Sequence, residues 1–243
     1  MRTALIISTF TLFLELQTRA AIVSISRRSF IHGEGIGVAN QSQQTTDLTA
    51  EFDQTLSSTG GPGYIEQYTV SQRATIGVSG FSLQTSSAGS VTSGNFANVS
   101  TQTVFDLGFY VTEPSTLSLV VDYPHQLGGP DGGGVGFYFR RVSRTGTTIN
   151  GTLETYFSYS GIQIPGSFTL SIPLSADPTI GYFIHLADSD NRGPANLPNS
   201  FSFTGQFSAT VTPVPEPSSQ LLLVFGAMLF ALRRSLRTHE RNG

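Results

Sequence analysis

Apolar side chains recur at every second position in one run after another through the middle of the chain. The clearest runs cover residues 105–111, 117–123, 180–186 and 201–211. A period of two places all the apolar side chains of a strand on one face. Gly, Pro, Asn and Asp, which favour turns, separate the runs. The alternation predicts an all-β fold of eight to ten strands, arranged as an antiparallel, jelly-roll-like β-sandwich.

The alternation also predicts where the domain begins and ends. It extends over residues 64–212, which we take as the β-sandwich domain. Residues 21–63 have poor periodicity, so we expect an approach segment that is partly looped and holds a first strand at best. Residues 112–115 contain a proline between two alternating runs and predict the turn of an antiparallel hairpin. Gly205, inside the last run, predicts a bulge or a bend.

Composition excludes several classes of function. The chain of 243 residues has no cysteine, so it has no disulfide, no thiolate nucleophile and no thiolate metal site. Residues 21–215 carry 13 acidic side chains and seven arginines, which gives a formal charge of −6. This excess of acidic groups, with no basic stripe, argues against nucleic acid or an anionic membrane surface as a partner of the body.

The N-terminus has the layout of a secretory signal peptide. Arg2 is followed by the apolar run of residues 4–14, and Thr18 and Ala20 are small residues spaced for cleavage after Ala20. We therefore predict a signal peptide over residues 1–20. An uncleaved anchor or a buried strand is the alternative, but the apolar run is too short to span a membrane comfortably.

The C-terminus carries a second apolar run, followed by arginines. Residues 218–232 contain no charge, and we predict a short transmembrane helix there. Its length would be about 22 Å, less than the roughly 30 Å of a hydrocarbon core. Arg233, Arg234 and Arg237 follow, and basic residues hold such a flank in the cytoplasm. This orientation would leave the body outside the membrane.

The tail of residues 213–243 resembles the PEP-CTERM sorting signal, which is found on exported proteins of Gram-negative bacteria that make extracellular polysaccharide. The resemblance rests on Pro215, Glu216 and Pro217, the short apolar helix and the arginine cluster, in that order, and covers about residues 213–237. It implies recognition of the Pro-Glu-Pro triplet by an exosortase, a membrane protease-transpeptidase. The helix would then be a transient inner-membrane anchor. Such a tail implies sorting to the cell surface or the extracellular space, and it implies no activity.

One cluster of oxygen donors suggests a metal site. Asp188, Asp190 and Asn191 follow an alternating run, and we expect them where that strand enters a loop. Carboxylate and amide oxygens are ligands that Ca²⁺ prefers, and Asp131 could approach from a glycine-rich loop. The alternative is an Asx-rich turn that caps its own backbone. The spacing does not fit an EF-hand, and the histidines of the body lack the spacing of zinc ligands.

Tyr156 and Tyr159 are the best candidates for a platform on which sugar rings could stack. They lie in the sequence Tyr-Phe-Ser-Tyr, and carbohydrate-binding sandwiches use aromatic rings in this way. The alternative is that both rings belong to the core or the edge of a sheet. The chain has no tryptophan, the strongest ring for such stacking, which favours the alternative.

Taken together, these features predict an exported bacterial surface or extracellular-matrix protein. Its β-sandwich would be a structural or adhesive component without enzymatic activity, with exopolysaccharide as a candidate ligand. The alternative is a surface carbohydrate-active hydrolase or lectin, with a loop-borne, calcium-dependent site around Asp131 and residues 188–191. The sequence assigns no catalytic residue, and calcium is the only cofactor that it suggests.

Overall fold

The structure is a computed structural model that describes residues 21–61, 66–91, 98–122, 133–161, 167–192 and 199–214. Regular structure in these ranges consists of β-strands. They are β1 (Ile22–Gly35), β2 (Gln41–Thr45), β3 (Phe52–Thr59), β4 (Glu66–Gly77), β5 (Gly80–Val91), β6 (Val99–Val111), β7 (Ser115–Asp122), β8 (Gly133–Thr145), β9 (Thr148–Gly161), β10 (Ser167–Leu174), β11 (Ile180–Arg192) and β12 (Asn199–Pro213).

The strands form two antiparallel sheets of six strands each, consistent with the predicted β-sandwich. Sheet A has the order β2-β1-β6-β11-β8-β9, and sheet B has the order β10-β7-β12-β5-β4-β3. The last eight strands pair in a nested way: β5 lies beside β12, β6 beside β11, β7 beside β10 and β8 beside β9. Strands β1 and β2 extend sheet A, and β3 and β4 extend sheet B.

The segment that we expected to be partly looped instead supplies three strands. Strands β1, β2 and β3 all lie between residues 22 and 59, and β1 pairs with β6 along nearly its whole length. A register shift between Ser24 and Ser26 breaks the alternation there. The buried Arg27 follows this shift on the interior side of β1. Because a polar residue occupies this inward position, the apolar periodicity of β1 is weak in the sequence.

The core lies between the two sheets and follows the predicted alternation. Phe105, Leu107 and Phe109 of β6 and Ile184 of β11 are fully buried, and the alternate residues of β12 face them from sheet B. Phe81 contacts Phe105 across the interior, with ring centroids 5.9 Å apart. Burial of these apolar faces is the main force that holds the two sheets together.

The predicted hairpin around residues 112–115 is wrong. Strands do flank this turn, but β6 belongs to sheet A and β7 to sheet B, so the chain crosses between the sheets. The connection from β10 to β11 crosses in the same way. Gly205 forms no bulge either, because β12 and β5 stay in register through the pair Gly205–Thr85. A strand's own residues fix its inward face, but they do not identify its neighbour in the sheet.

The body and the C-terminal segment are separate compact units. The first extends to Thr212, and the second begins at Pro213, of which Pro213 and Val214 are described. The predicted signal peptide, the Pro-Glu-Pro triplet, the apolar run 218–232 and its arginines lie outside the described residues. No helix in the described ranges is long and apolar enough to cross a membrane.

Candidate functional site

The two aspartates proposed as metal ligands lie inside the sandwich and not in a loop. Strand β11 continues through Arg192, so Asp188 and Asp190 keep the inward alternation of Ile184 and Leu186. Asp188 is 3% exposed and Asp190 is fully buried. The expected strand end before this cluster is therefore wrong. Polar residues usually mark the end of an apolar strand pattern, but here they continue the strand inside the sandwich.

Polar side chains of both sheets meet at this end of the interior. Thr103 and Thr101 of β6 lie opposite Asp188 and Asp190 on the neighbouring strand. Ser87 of sheet B reaches across the interior and shares a short hydrogen bond with Thr101. A cavity of about 10 Å³, roughly the space of one water molecule, is lined by Asp188 and Thr103 from sheet A and by Thr85 from sheet B.

This polar layer does not gather a conventional set of metal ligands. In the part of the chain that the structure describes, no three His, Asp or Glu side chains are placed to hold a metal ion. Asp131 lies outside the described residues, and nothing is described of the Asn191 side chain. The two aspartates are thus together, but the loop geometry on which the calcium hypothesis depended is absent from this stretch.

A third buried carboxylate, Glu66, lies at the start of β4. It is fully buried, and Gly35 lies against its Oε2. Burial raises the pKa of Glu66, and the nearby backbone of Asn98 offsets part of this rise, although the contact does not meet hydrogen-bond geometry. Sequence reasoning missed this group because Glu66 stands at the edge of an alternating run, where an exposed side chain is the usual expectation.

Tyr156 and Tyr159 lie on β9, the edge strand of sheet A, and both are partly buried against the core. Tyr156 stacks on the buried Phe139, with ring centroids 5.5 Å apart and an interplanar angle of 23°. Burial raises the pKa of Tyr156, and the nearby Glu154 raises it further. These contacts favour the structural alternative over an exposed pair of sugar-stacking rings.

The outer surface of sheet B has an unusual composition. We call the outward-facing side chains of β3, β4, β5 and β12 the hydroxyl face, because all but Asp53, Arg73 and Ala88 are Ser, Thr or Gln. Its members are Asp53, Thr55, Ser57, Thr59, Gln67, Thr69, Ser71, Arg73, Thr75, Ser82, Gln84, Ser86, Ala88, Ser90, Ser200, Ser202, Thr204, Gln206, Ser208, Thr210 and Thr212.

A groove of about 340 Å³ crosses the hydroxyl face from β3 to β12. Its described lining consists of Ser, Thr and Gln residues, Gly205 and one pair of opposite charges. Arg73 of that pair donates to Glu51 Oε1 at 2.7 Å and lies 3.7 Å from Asp53. Ser71 and Ser86 share a hydrogen bond of 2.6 Å across β4 and β5. The groove is therefore polar and close to neutral.

The outer surface of sheet A has the opposite character. Arg28, Asp106, His185 and Tyr138 stand in one row across four neighbouring strands. His185 shares a 2.6 Å hydrogen bond with Asp106 and stacks on Tyr138 at a centroid distance of 4.6 Å. Arg140 covers the Tyr138 ring at 3.9 Å. Charged and aromatic groups on this surface are thus engaged with one another.

The sequence contained a signal for the hydroxyl face. It lies in the polar half of the alternation, which the search for a core passes over. A strand such as β5 places Ser82, Gln84 and Ser86 at the positions between its buried residues. The strand order decides which of these polar positions lie together on one surface. Local periodicity does not predict the strand order.

The chain matches no protein-family model, and comparisons with curated proteins and with solved structures found no similar protein.

Proposed function

We propose that this chain is an exported bacterial protein of the cell surface or extracellular matrix, delivered through its PEP-CTERM-like tail. The β-sandwich is its working part, with a structural or adhesive role and without catalysis. Exopolysaccharide is its partner outside the cell. Exosortase and the inner membrane are its partners during export.

The observation that carries this proposal is the position at which the sandwich ends. The last strand, β12, ends at Pro213, and the single residue Val214 separates it from the triplet that begins at Pro215. A sorting tail that is removed after export must follow a finished domain. The compact body accordingly extends to Thr212 and leaves the tail as a separate unit.

The strand order adds support of a more general kind. The nested pairing of the last eight strands is the order of a jelly roll, and we infer that the sandwich belongs to this topology. Jelly rolls include lectin and capsid domains, which act through surfaces and loops. This support is an analogy of fold, since one fold hosts many functions.

A hydrolase has weaker support. Most glycosidases use two carboxyl groups in one cleft. Among the described residues, the groove on sheet B has Asp53 as its single carboxylate, and an open groove of about 220 Å³ beside β1 has Glu34. The other acidic candidates, Asp188 and Asp190, are buried. A lectin with a calcium site in its loops would need ligands other than these two.

Mass spectrometry of the exported protein tests the sorting proposal. The full chain is expressed in an exosortase-containing host, and the mature mass is expected to lack the residues after the triplet. The double variant Glu216→Ala/Pro217→Ala should keep them and accumulate in the inner membrane, whereas the neighbouring control Ser219→Ala should be processed normally. Recovery of the wild-type protein outside the cell with residues 218–243 intact would overturn the proposal.

A further inference from the structure

We propose that the groove on the hydroxyl face binds a neutral polysaccharide chain. The inference deepens the proposed function, because it names the surface and the class of polymer through which an exported matrix protein would act. It rests on two properties of the groove: its hydrogen-bonding groups and its balanced charge.

The first property is the density of groups that can both donate and accept hydrogen bonds. Each Ser or Thr hydroxyl donates one hydrogen bond and accepts up to two, as a sugar hydroxyl also does. The bonds Ser71–Ser86 and Thr75–Ser82 use part of this capacity and orient the hydroxyls across β4 and β5. The hydroxyl donors and acceptors that these bonds leave unused face outward, where the hydroxyls of a glycan can replace bound water.

The groove has the dimensions for a short stretch of polymer. Its volume of about 340 Å³ falls within the range of ligand-binding sites, which is roughly 300–1,000 Å³. Neighbouring strands lie about 4.8 Å apart, so the distance from β3 to β12 is about 14 Å. A few sugar rings could therefore lie across the strands between Thr55 at one end and Thr204 at the other.

The second property is the charge. Arg73 is the cation of the described lining, and its contacts with Glu51 and Asp53 occupy it. An acidic polysaccharide would have no unpaired cation to bind in the described lining, and the carboxylates of Asp53 and Glu51 would repel its acidic groups. A neutral chain avoids this repulsion, because its hydroxyls need only uncharged hydrogen-bonding partners.

Two lining residues, Gln72 and Thr85, direct their side chains into the sandwich and not towards the groove. Gln72 Nε2 donates to the Val104 carbonyl of sheet A at 3.1 Å, and Thr85 lines the interior cavity together with Asp188. The groups that a bound polysaccharide could contact are therefore the outward side chains of the lining, such as Thr55, Ser86 and Thr204.

No aromatic ring lines the described part of the groove. Each sugar would therefore be held by hydrogen bonds alone, and the affinity for one repeat would be low. Repeated contacts along a polymer raise the total affinity without any new type of contact. We thus expect binding to long chains and weak binding to the corresponding short oligosaccharides.

Native affinity electrophoresis of the purified full chain, in mild detergent, tests the inference. The gels contain dextran, hydroxyethylcellulose or galactomannan as neutral polymers, and alginate as the acidic comparison. The groove variant is Thr55→Val/Ser71→Ala/Ser86→Ala/Thr204→Val. The matched control, Thr69→Val/Ser90→Ala/Ser200→Ala/Thr210→Val, changes the same residue types on the same face outside the groove. Val keeps the branched shape that suits a strand.

We expect at least one neutral polymer to retard the wild-type protein. The groove variant should bind that polymer at least about tenfold more weakly, because it lacks several hydrogen bonds. The control should stay within about twofold of wild type. If the groove variant has a lower Tm than the control, the pairs Thr55→Val/Thr204→Val and Thr69→Val/Thr210→Val provide the comparison.

The inference is wrong if no neutral polymer retards the wild-type protein, if alginate binds more tightly than all three, or if groove and control variants bind alike. These outcomes are independent of the sorting proposal, because the electrophoresis uses purified protein. Failure of tail processing would overturn the proposed route of export and leave the binding result unchanged.

Discussion

His185 Nδ1 lies 2.6 Å from Asp106 Oδ1, between the neighbouring strands β11 and β6 on the outer surface of sheet A. The two side chains are 24% and 18% exposed, so water only partly screens the contact. Tyr138 stacks on the His185 ring from the next strand, and Arg140 covers Tyr138. The hydrogen bond fixes the orientation of the ring and links the two central strands of the sheet.

This pair should contribute measurably to stability. We expect Asp106→Asn and His185→Gln each to lower the free energy of unfolding, with a coupling of about 1 kcal/mol in the double variant, because the bond is partly buried. Urea unfolding of the four proteins of the cycle measures this coupling. A coupling below about 0.3 kcal/mol would mean that the strand register brings the two side chains together without a measurable gain in stability.

Arg27 connects β1 to the chain before β3 and to β4. Its guanidinium donates to the carbonyls of Asp47, Ala50 and Ala74, and burial lowers the pKa of Arg27 while Asp47 acts in the opposite direction. Arg27→Met leaves these carbonyls without their donor, and we expect a loss of about 2–4 kcal/mol in unfolding free energy. The exposed neighbour Arg28 is the control, and Arg28→Met should cost less than about 1 kcal/mol. Equal losses would contradict this assignment.

Gly33 gives the Tyr68 ring the space that it occupies. A Cβ at this position would overlap the ring, whose hydroxyl donates to the Ala39 carbonyl at 2.5 Å. We expect Gly33→Ala to lower the unfolding free energy by about 1–3 kcal/mol, because the ring or the backbone must move. Gly151→Ala is the control, since nothing lies within 4 Å of its added methyl group. Thermal unfolding compares the two, and an equal Tm would show that the ring moves freely.

Glu66 should make stability depend on pH. Burial raises its folded-state pKa above the ordinary value of 4.5, so the contribution of Glu66 is fully present below that value and is lost as the pH rises through the folded-state pKa. Glu66→Gln cannot ionise, and its stability relative to wild type should increase from pH 4 towards neutral pH. Urea unfolding across this range measures the difference. A difference that stays constant with pH would show that Glu66 does not titrate in this way.

The effect of Ca²⁺ on thermal stability tests the predicted calcium site at Asp188 and Asp190. Asp188 and Asp190 point into the sandwich, so we expect Ca²⁺ and EDTA to leave the Tm of the full chain unchanged. A stabilisation by Ca²⁺ that Asp190→Asn removes would contradict this expectation and restore the two aspartates as ligands. Asp122→Asn, a change at an exposed residue of β7, serves as the control.

The inward-facing residues of β11 show which features of the interior a local sequence pattern can predict. Ile184 and Leu186 are apolar at alternate positions, and their burial follows from the period of two. Asp188 and Asp190 continue the same alternation, but their polarity suggested that the strand had ended. They are buried because polar residues of sheet B, Thr85 and Ser87, lie at the same end of the interior. These residues are more than eighty positions away in the chain, so a local sequence pattern cannot predict that they come together.

The sequence by itself determined that the chain is built of strands, which face of most strands is buried, and that an apolar run followed by arginines comes after the last strand. These properties depend on side-chain alternation and on short contiguous segments. The tertiary structure decided that β6 and β7 lie in different sheets, that Tyr156 packs on Phe139, and that the hydroxyls of four strands share one groove. Strand order and register are set by contacts between distant segments, and the period of a single strand is compatible with many such arrangements.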